Sequence, residues 1–276
     1  MQRDGKIAVV GATGRVGWHV ADLLEAGGWD VACIARSSGV DVFTGEGLDA
    51  ALQGASVIID LASGQSPEQA AATEFWMTAT RNLREAGQRA GVRRIVVISI
   101  IGADRFKTGY NAAKSLHEQI TLAGPIPARV LRATQFHEFV PQLMEWGRHG
   151  DITYMPKMPT QLVAARTVAG ALVALATDDT VADGTIAEIA GPRAERMAEM
   201  ARLFAARTGL PTQIQEVDDP GDPEHLYEAG VLLPSAAATL AGPTFEEWVD
   251  FTFGLNADPA AAAHMRSRLD SGRNQH

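Results

Sequence analysis

Residues 6–17 read Lys-Ile-Ala-Val-Val-Gly-Ala-Thr-Gly-Arg-Val-Gly, and no other stretch limits the fold as much. Ile7 to Val10 is a short run of β-formers ending at Gly11. From Arg15 the apolar residues Val16, Val20, Leu23 and Leu24 return at helical spacing. Strand, glycine-rich turn and helix in that order suit a dinucleotide. Gly11 permits the tight turn, Gly14 lets backbone approach a pyrophosphate, and Gly17 lets helix pack close to strand. The N–H groups of the helix's first turn then face the phosphates, where the helix dipole favours negative charge. The spacing is G-x-x-G-x-x-G, a variant of the commoner G-x-G-x-x-G, so the flanking strand and helix carry the argument.

The following strands predict an α/β fold, a doubly wound parallel sheet. Asp30 to Ala35 closes a β-α-β unit, and Arg36, Ser37 and Ser38 follow it. An acid about 20 residues beyond the glycines would hold a free ribose 2′-hydroxyl. Arginine stands there instead, and its guanidinium can pair with a 2′-phosphate. NADP(H) is therefore expected in preference to NAD(H). Val40 to Phe43 reads as a third strand, Glu46 to Gln53 as a short helix, and Ser56 to Leu61 as a fourth strand. Ala62, Ser63 and Gly64 then leave room at the carboxyl edge, where doubly wound sheets bind ligands. A helix is predicted from Pro67 to about Arg89, ended by Gly91. Arg94 to Ile100 is nearly continuous in apolar residues, as a strand covered on both faces should be.

Ser99 is the polar exception in that strand. Tyr110 and Lys114 follow in a helix predicted to reach Leu122, spaced so that phenol and ammonium share one face. A nearby cation lowers a tyrosine pKa, and such a phenol can exchange a proton with a carbonyl oxygen as hydride moves. Ser99 is expected to hold the same oxygen and Lys114 to reach the nicotinamide ribose.

Several segments together resemble the atypical short-chain dehydrogenase/reductase group, and within it the NmrA-like, NAD(P)H-binding branch. They are Gly-Ala-Thr-Gly-Arg-Val-Gly, Val40-Asp41-Val42, Ala-Gly-Val-Arg-Arg-Ile-Val-Val-Ile-Ser, Tyr-Asn-Ala-Ala-Lys and Val-Leu-Arg-Ala-Thr-Gln-Phe. The resemblance covers residues 5 to 180 and implies a Rossmann-type fold. It implies Gly11, Thr13, Gly14, Arg15 and Val16 on the pyrophosphate, Arg36 and Ser37 on the 2′-phosphate, and Asp41 with Val42 near the adenine. Leu61, Ala62 and Ser63 would flank the adenosine, and Thr134 to Phe136 the nicotinamide end. This branch often keeps the lysine while losing the tyrosine, and some of its members are sensors without turnover.

After Gly150 the texture changes, which suggests a dinucleotide-binding lobe over residues 1–150 and a smaller C-terminal substrate lobe over 151–276. Ala128 to Arg132 reads as the sixth strand, and a helix is predicted from Gln135 to about His149. His137-Glu138 invites a metal reading, but Pro141 and Gln142 stand where a zincin's second histidine belongs, so no metal is expected. Thr167 is expected to cap a helix that packs back on the first lobe, and Arg193 to Thr208 to form another. Gln213 to Val217 reads as a strand, and Thr244 to Phe253 as a final helix. Phe136, Phe139, Trp146, Met155 and Met158 are candidates for an apolar pocket or for plain core packing. Ala257 to His276 reads as a helix or a loose tail.

Composition removes several classes of function. A net charge of -9 gives no electrostatic reason to expect nucleic acid or an anionic membrane. The basic residues of Arg81–Arg94 are interrupted by Glu85 and spread around a helix. The one cysteine, Cys33, cannot form an internal disulfide, which fits a reducing compartment. The N-terminus shows no signal-peptide core, and the longest apolar run, Ile95 to Ile101, is too short to span a bilayer. A cytoplasmic enzyme is expected, reducing a small, apolar or aromatic carbonyl or enone-like substrate with NADP(H), with a homo-oligomer left open. A non-catalytic NADP(H) sensor and an epimerase or dehydratase are the alternatives.

Overall fold

The run Ile7–Val10 is wholly buried because it forms β1 (Lys6–Val10), an interior strand of a parallel sheet with a neighbour on each side. The computed structural model describes residues 5–64, 66–222 and 224–254, so the predicted tail 257–276 lies outside the described residues. The chain forms two compact units, one of residues 1–133 and 165–189, the other of 134–164 and 190–276. The sequence boundary at 150 thus differs from the structural one, and residues 165–189 rejoin the first unit.

In the first unit β1 is followed by α1 (Gly17–Ala26), β2 (Asp30–Ile34), α2 (Leu48–Leu52) and β3 (Ala55–Asp60). Then come α3 (Gln69–Ala90), β4 (Arg94–Ile100), α4 (Gly109–Leu122) and β5 (Ala128–Ala133). After an excursion through residues 134–164 of the second unit, the chain returns as α6 (Ala165–Thr177) and β9 (Ile186–Ala190). The strands run β9-β5-β4-β3-β1-β2, every pair parallel, so this is a Rossmann-type doubly wound sheet. The order reverses at β1, between β3 and β2, which is where such sheets bind their ligands. One side of the core joins Ala8, Val10, Ile58 and Ile95 of the strands to Leu48 and Leu52 of α2 and Leu83 and Ala86 of α3.

Arg129, fully buried on β5, donates to the carbonyls of Leu175, Asp178 and Val181 and to Asp183. It binds the end of α6 to the sheet. Arg94 on β4 joins the same acidic turn through Asp179 and Asp183.

Residues 40–43 do not form the expected strand. The Asp41 carboxylate accepts the Phe43 N–H at 2.7 Å, and the Asn82 amide of α3 donates to the carbonyls of Val42 and Phe43. Groups that would enter a ladder are thereby spent on a turn. Thr167 lies inside α6, which begins at Ala165, and does not cap it.

The second unit contains α5 (Phe139–Trp146), β6 (Arg148–His149), β7 (Ile152–Pro156) and β8 (Pro159–Thr160). After the return to the first unit come β10 (Glu195–Arg196), α7 (Met197–Thr208), β11 (Gln213–Val217) and α8 (Phe245–Phe253). The helix predicted to reach His149 stops at Trp146, because at Gly147 the chain presses against the Tyr154 carbonyl and a Cβ would sit 2.0 Å from that oxygen. Arg148 and His149 instead pair antiparallel with β7, which also pairs with β11. The helix expected from Arg193 starts at Met197, because Glu195 and Arg196 pair with Pro159 and Thr160.

Candidate functional site

The glycine turn has the geometry its spacing predicts. Gly11 holds φ +75°, and a Cβ there would lie 2.8 Å from the Leu61 carbonyl oxygen. A Cβ at Gly17 would lie 2.0 Å from the Gly11 oxygen, so the first turn of α1 and the end of β1 meet backbone to backbone. Gly14 donates its N–H to Gly11 at 2.8 Å and stays exposed. α1 starts with no side-chain cap from Val16 and no acid in its first turn. An anion meets no competing carboxylate there.

A cleft of about 540 Å³ opens from this turn. Gly11, Thr13 and Gly14 line one side, Arg36, Asp41 and Val42 the second, and Leu61, Ala62 and Ser63 the third. Nine of the expected cofactor residues therefore meet around one cavity, all within the first unit. Phe43 and Phe75 add parallel rings 6.0 Å apart that sequence reasoning had not assigned to the cleft. The cleft fits a dinucleotide's adenosine half: a glycine turn and bare helix start for phosphate, an arginine at the end of β2, and apolar walls for a base. Of the other expected contacts, Val16 is buried, Arg15 is half-buried, and Ser37 is exposed beside Arg36 without lining the cleft.

Tyr110 and Lys114 lie on α4 as expected, but their partners differ from those expected. The Tyr110 hydroxyl lies 3.4 Å from the Ser63 hydroxyl, whereas the Ser99 hydroxyl is buried with no hydrogen-bond partner. Burial raises the Tyr110 pKa above the ordinary phenol value, against the opposing effects of Ser63 and the Arg15 charge. The expected depression by Lys114 is absent, because the ammonium is engaged elsewhere: Nζ lies 3.1 Å from His117 Nδ1 and 4.7 Å above the Trp76 ring. Trp76 also stacks on His117 at 5.4 Å and meets Tyr110 edge-on at 5.2 Å. Its indole N–H donates to the Ala62 carbonyl at the edge of the cleft.

Asp60 and His117 are the residues that sequence reasoning missed here. A carboxylate ending an apolar strand, and a histidine one turn beyond Lys114, were the available signals. Thr134 and Phe136, expected at the nicotinamide end, belong to the second unit. There the Thr134 hydroxyl donates to the Gln161 carbonyl at 2.6 Å, and Phe136 bridges to Val163. His137 is fully buried, and its Nε2–H donates to the Pro243 carbonyl at 3.1 Å. Among the described residues, Asp218, His225 and Glu228 stand exposed within 4.8 Å of one another, with Lys157 paired to Asp218.

With this geometry in view, the similarity to known proteins is interpretable. Residues 11–136 match the family model described as NAD(P)H-binding. That segment, from the glycine turn to just beyond β5, is similar to NAD(P)H-binding domains. No curated protein matches the chain. Among solved structures, the fold is similar to MoeE5 in complex with UDP-glucose and NAD, at 18% identity and a TM-score of 0.67, covering 98% of this chain and 99% of that one. It is similar to the Thermus thermophilus UDP-glucose 4-epimerase complexed with NAD, at 16% identity, TM-score 0.65 and coverage of 98% and 99%. A short-chain dehydrogenase/reductase superfamily protein from Agrobacterium tumefaciens with bound NAD gives 18%, 0.60, and 98% of both chains. Among the described residues no helix is long and apolar enough to cross a membrane.

Proposed function

We propose that this NmrA-like chain is an NADP(H)-dependent oxidoreductase that reduces a carbonyl or enone-like small molecule. The observation that carries the reading is Arg36, exposed at the end of β2 and lining the same cleft as Gly11 and Gly14. Its guanidinium would pair with the 2′-phosphate, the start of α1 would face the pyrophosphate, and Lys114 would hold ribose hydroxyls. NADPH, when bound, supplies the hydride. The chain's own residues handle the proton. A phenol whose pKa is raised stays protonated at neutral pH, so Tyr110 suits donation to a carbonyl oxygen better than abstraction. Ser63 replaces Ser99 as the hydroxyl beside it.

The test follows loss of nicotinamide absorbance across ketones, quinones and enones. Tyr110→Phe should leave NADPH binding intact and lower turnover by about 10²–10⁴-fold. Full turnover by this variant would remove Tyr110 as the proton donor. A second reading, an NADP(H) sensor, is favoured by the contact of the Lys114 ammonium with His117 at 3.1 Å. It predicts NADPH binding with no consumption by any carbonyl. An epimerase or dehydratase reading draws on the sugar-nucleotide neighbours and predicts activity without net loss of nicotinamide absorbance.

A further inference from the structure

Three charged or ionisable groups lie in one buried line beside the cleft. Asp60, at the end of β3, accepts the Ala62 N–H at 3.0 Å through Oδ1, and its Oδ2 lies 3.4 Å from His117 Nε2. His117 Nδ1 lies 3.1 Å from Lys114 Nζ. All three side chains are almost wholly enclosed. Burial and the Lys114 charge keep the imidazole neutral, against Asp60 and Glu118. A neutral imidazole between an ammonium and a carboxylate carries its proton on Nε2, on the side of Asp60, and accepts from Lys114 through Nδ1.

Charge balance identifies the true partner of Lys114. Glu118 already receives Arg132 at 2.6 and 3.0 Å, and Arg132 also reaches Asp104 at 3.3 Å. Asp60 receives no cation directly. Burial opposes its charge, yet the His117 contact and the Ala62 N–H prevail and hold the carboxyl below its usual range. From α3 the neighbouring group is the uncharged Trp76, and from α4 it is Tyr110, protonated at neutral pH.

We propose that Asp60 and His117 are positioning residues for Lys114: the neutral imidazole relays the carboxylate's charge, anchors the ammonium on the face of Trp76, and keeps it charged for the cofactor. This rests on the reading of Lys114 as a ribose contact. Burial lowers the Lys114 pKa to about 8, opposed by Asp60 and Glu118. NADPH affinity should therefore decline as pH rises through that value.

The chain has four lysines, Lys6, Lys107, Lys114 and Lys157, so the ¹³Cε signals of a lysine-labelled protein resolve the question directly. Loss of one signal in Lys114→Met assigns it. In the cofactor-free native protein Lys114 should titrate lowest. Asp60→Asn, which keeps the shape, and His117→Leu should each lower that midpoint by roughly 1–3 pH units, the usual effect of a nearby opposite charge. His117→Gln, whose amide oxygen can still accept from the ammonium, should retain most of it. The pH profile of NADPH affinity, measured by calorimetry, should move with the midpoint in each variant. A Lys114 midpoint unchanged in both Asp60→Asn and His117→Leu overturns the anchoring. A midpoint that moves without the NADPH profile overturns the link to the cofactor. Native protein that binds no NADPH at any pH overturns the function proposed above, while the apo titration still decides the anchoring.

Discussion

The first and last helices of the described chain begin in opposite ways. At α8 the Thr244 hydroxyl accepts the Glu247 N–H at 3.2 Å, and the Glu247 carboxylate accepts the Thr244 N–H at 2.8 Å, a complete capping box. Glu246 adds a second acid, and the Thr244 N–H and hydroxyl, both donating to the carboxylate, hold the Glu247 carboxyl below its usual range. Immediately before, His137 takes the Pro243 carbonyl and packs against Phe245 and Trp248. At α1 there is no side-chain cap, no acid, and glycine at the first helical position. The contrast separates a joint from a seat. α8 satisfies its own backbone and needs no ligand, whereas α1 leaves a positive helix end facing a cleft.

If that contrast is right, the largest effect comes from closing the seat. Gly17→Ala drives a Cβ against the Gly11 carbonyl, where only 2.0 Å is available. Thermal and urea unfolding should show a loss of about 3 kcal/mol or more, at or beyond the top of the usual range for overpacking, together with loss of NADPH binding. A stable Gly17→Ala protein with native affinity would break the comparison on the α1 side.

Next in size is a pH effect at the joint. Burial lowers the His137 pKa to about 4, only partly opposed by its bond to Pro243. The unfolded chain takes up a proton near pH 6.5 while the folded one resists until about 4. This contribution is therefore fully present above about pH 6.5 and is lost as pH falls through that window, roughly 3 kcal/mol by pH 4. Urea unfolding between pH 7 and pH 4 should show the slope in the native protein and a shallower one in His137→Gln. Identical slopes would remove His137 from the account.

Arg36→Asp sharpens the comparison at the cofactor. The preference for NADPH over NADH should fall by about 1.5–3 kcal/mol, the range for hydrogen bonds to charged groups. Equal native affinities for the two cofactors would exclude Arg36 from the site. Thr244→Ala gives the smallest change, a loss of about 1 kcal/mol of stability with NADPH affinity intact. Any drop in that affinity would contradict the division between joint and seat.

What the sequence made legible follows the range of the interactions involved. The β1–α1 turn, the β4 strand and the placing of Tyr110 and Lys114 on one helix are local patterns, and the structure has each of them. Residues 40–43 have strand-like composition, but Asn82, far along the chain, claims their carbonyls. The partners of Tyr110 and Lys114 were hidden for the same reason. Ser63 and Asp60 come from the end of β3, and no spacing rule within α4 points to them. The place of Arg36 on the cleft was readable because it depends on distance from the glycines along the chain, which a β-α-β unit holds constant.

The grip of Arg129 on the carbonyls of Leu175, Asp178 and Val181 also governs the order in which the chain can mature. During synthesis β1 to β5 emerge first, yet the neighbour that covers the outer edge of β5 is β9, from Ile186–Ala190. A nascent chain cut at residue 150 would hold an unpaired sheet edge and a guanidinium stripped of its acceptors. Such an edge recruits other chains, and such a charge resists burial. The first unit is therefore committed late: the excursion through residues 134–164 must be made before the sheet can be finished. Fragments that end between residues 133 and 190 should aggregate, even though they contain the entire nucleotide cleft.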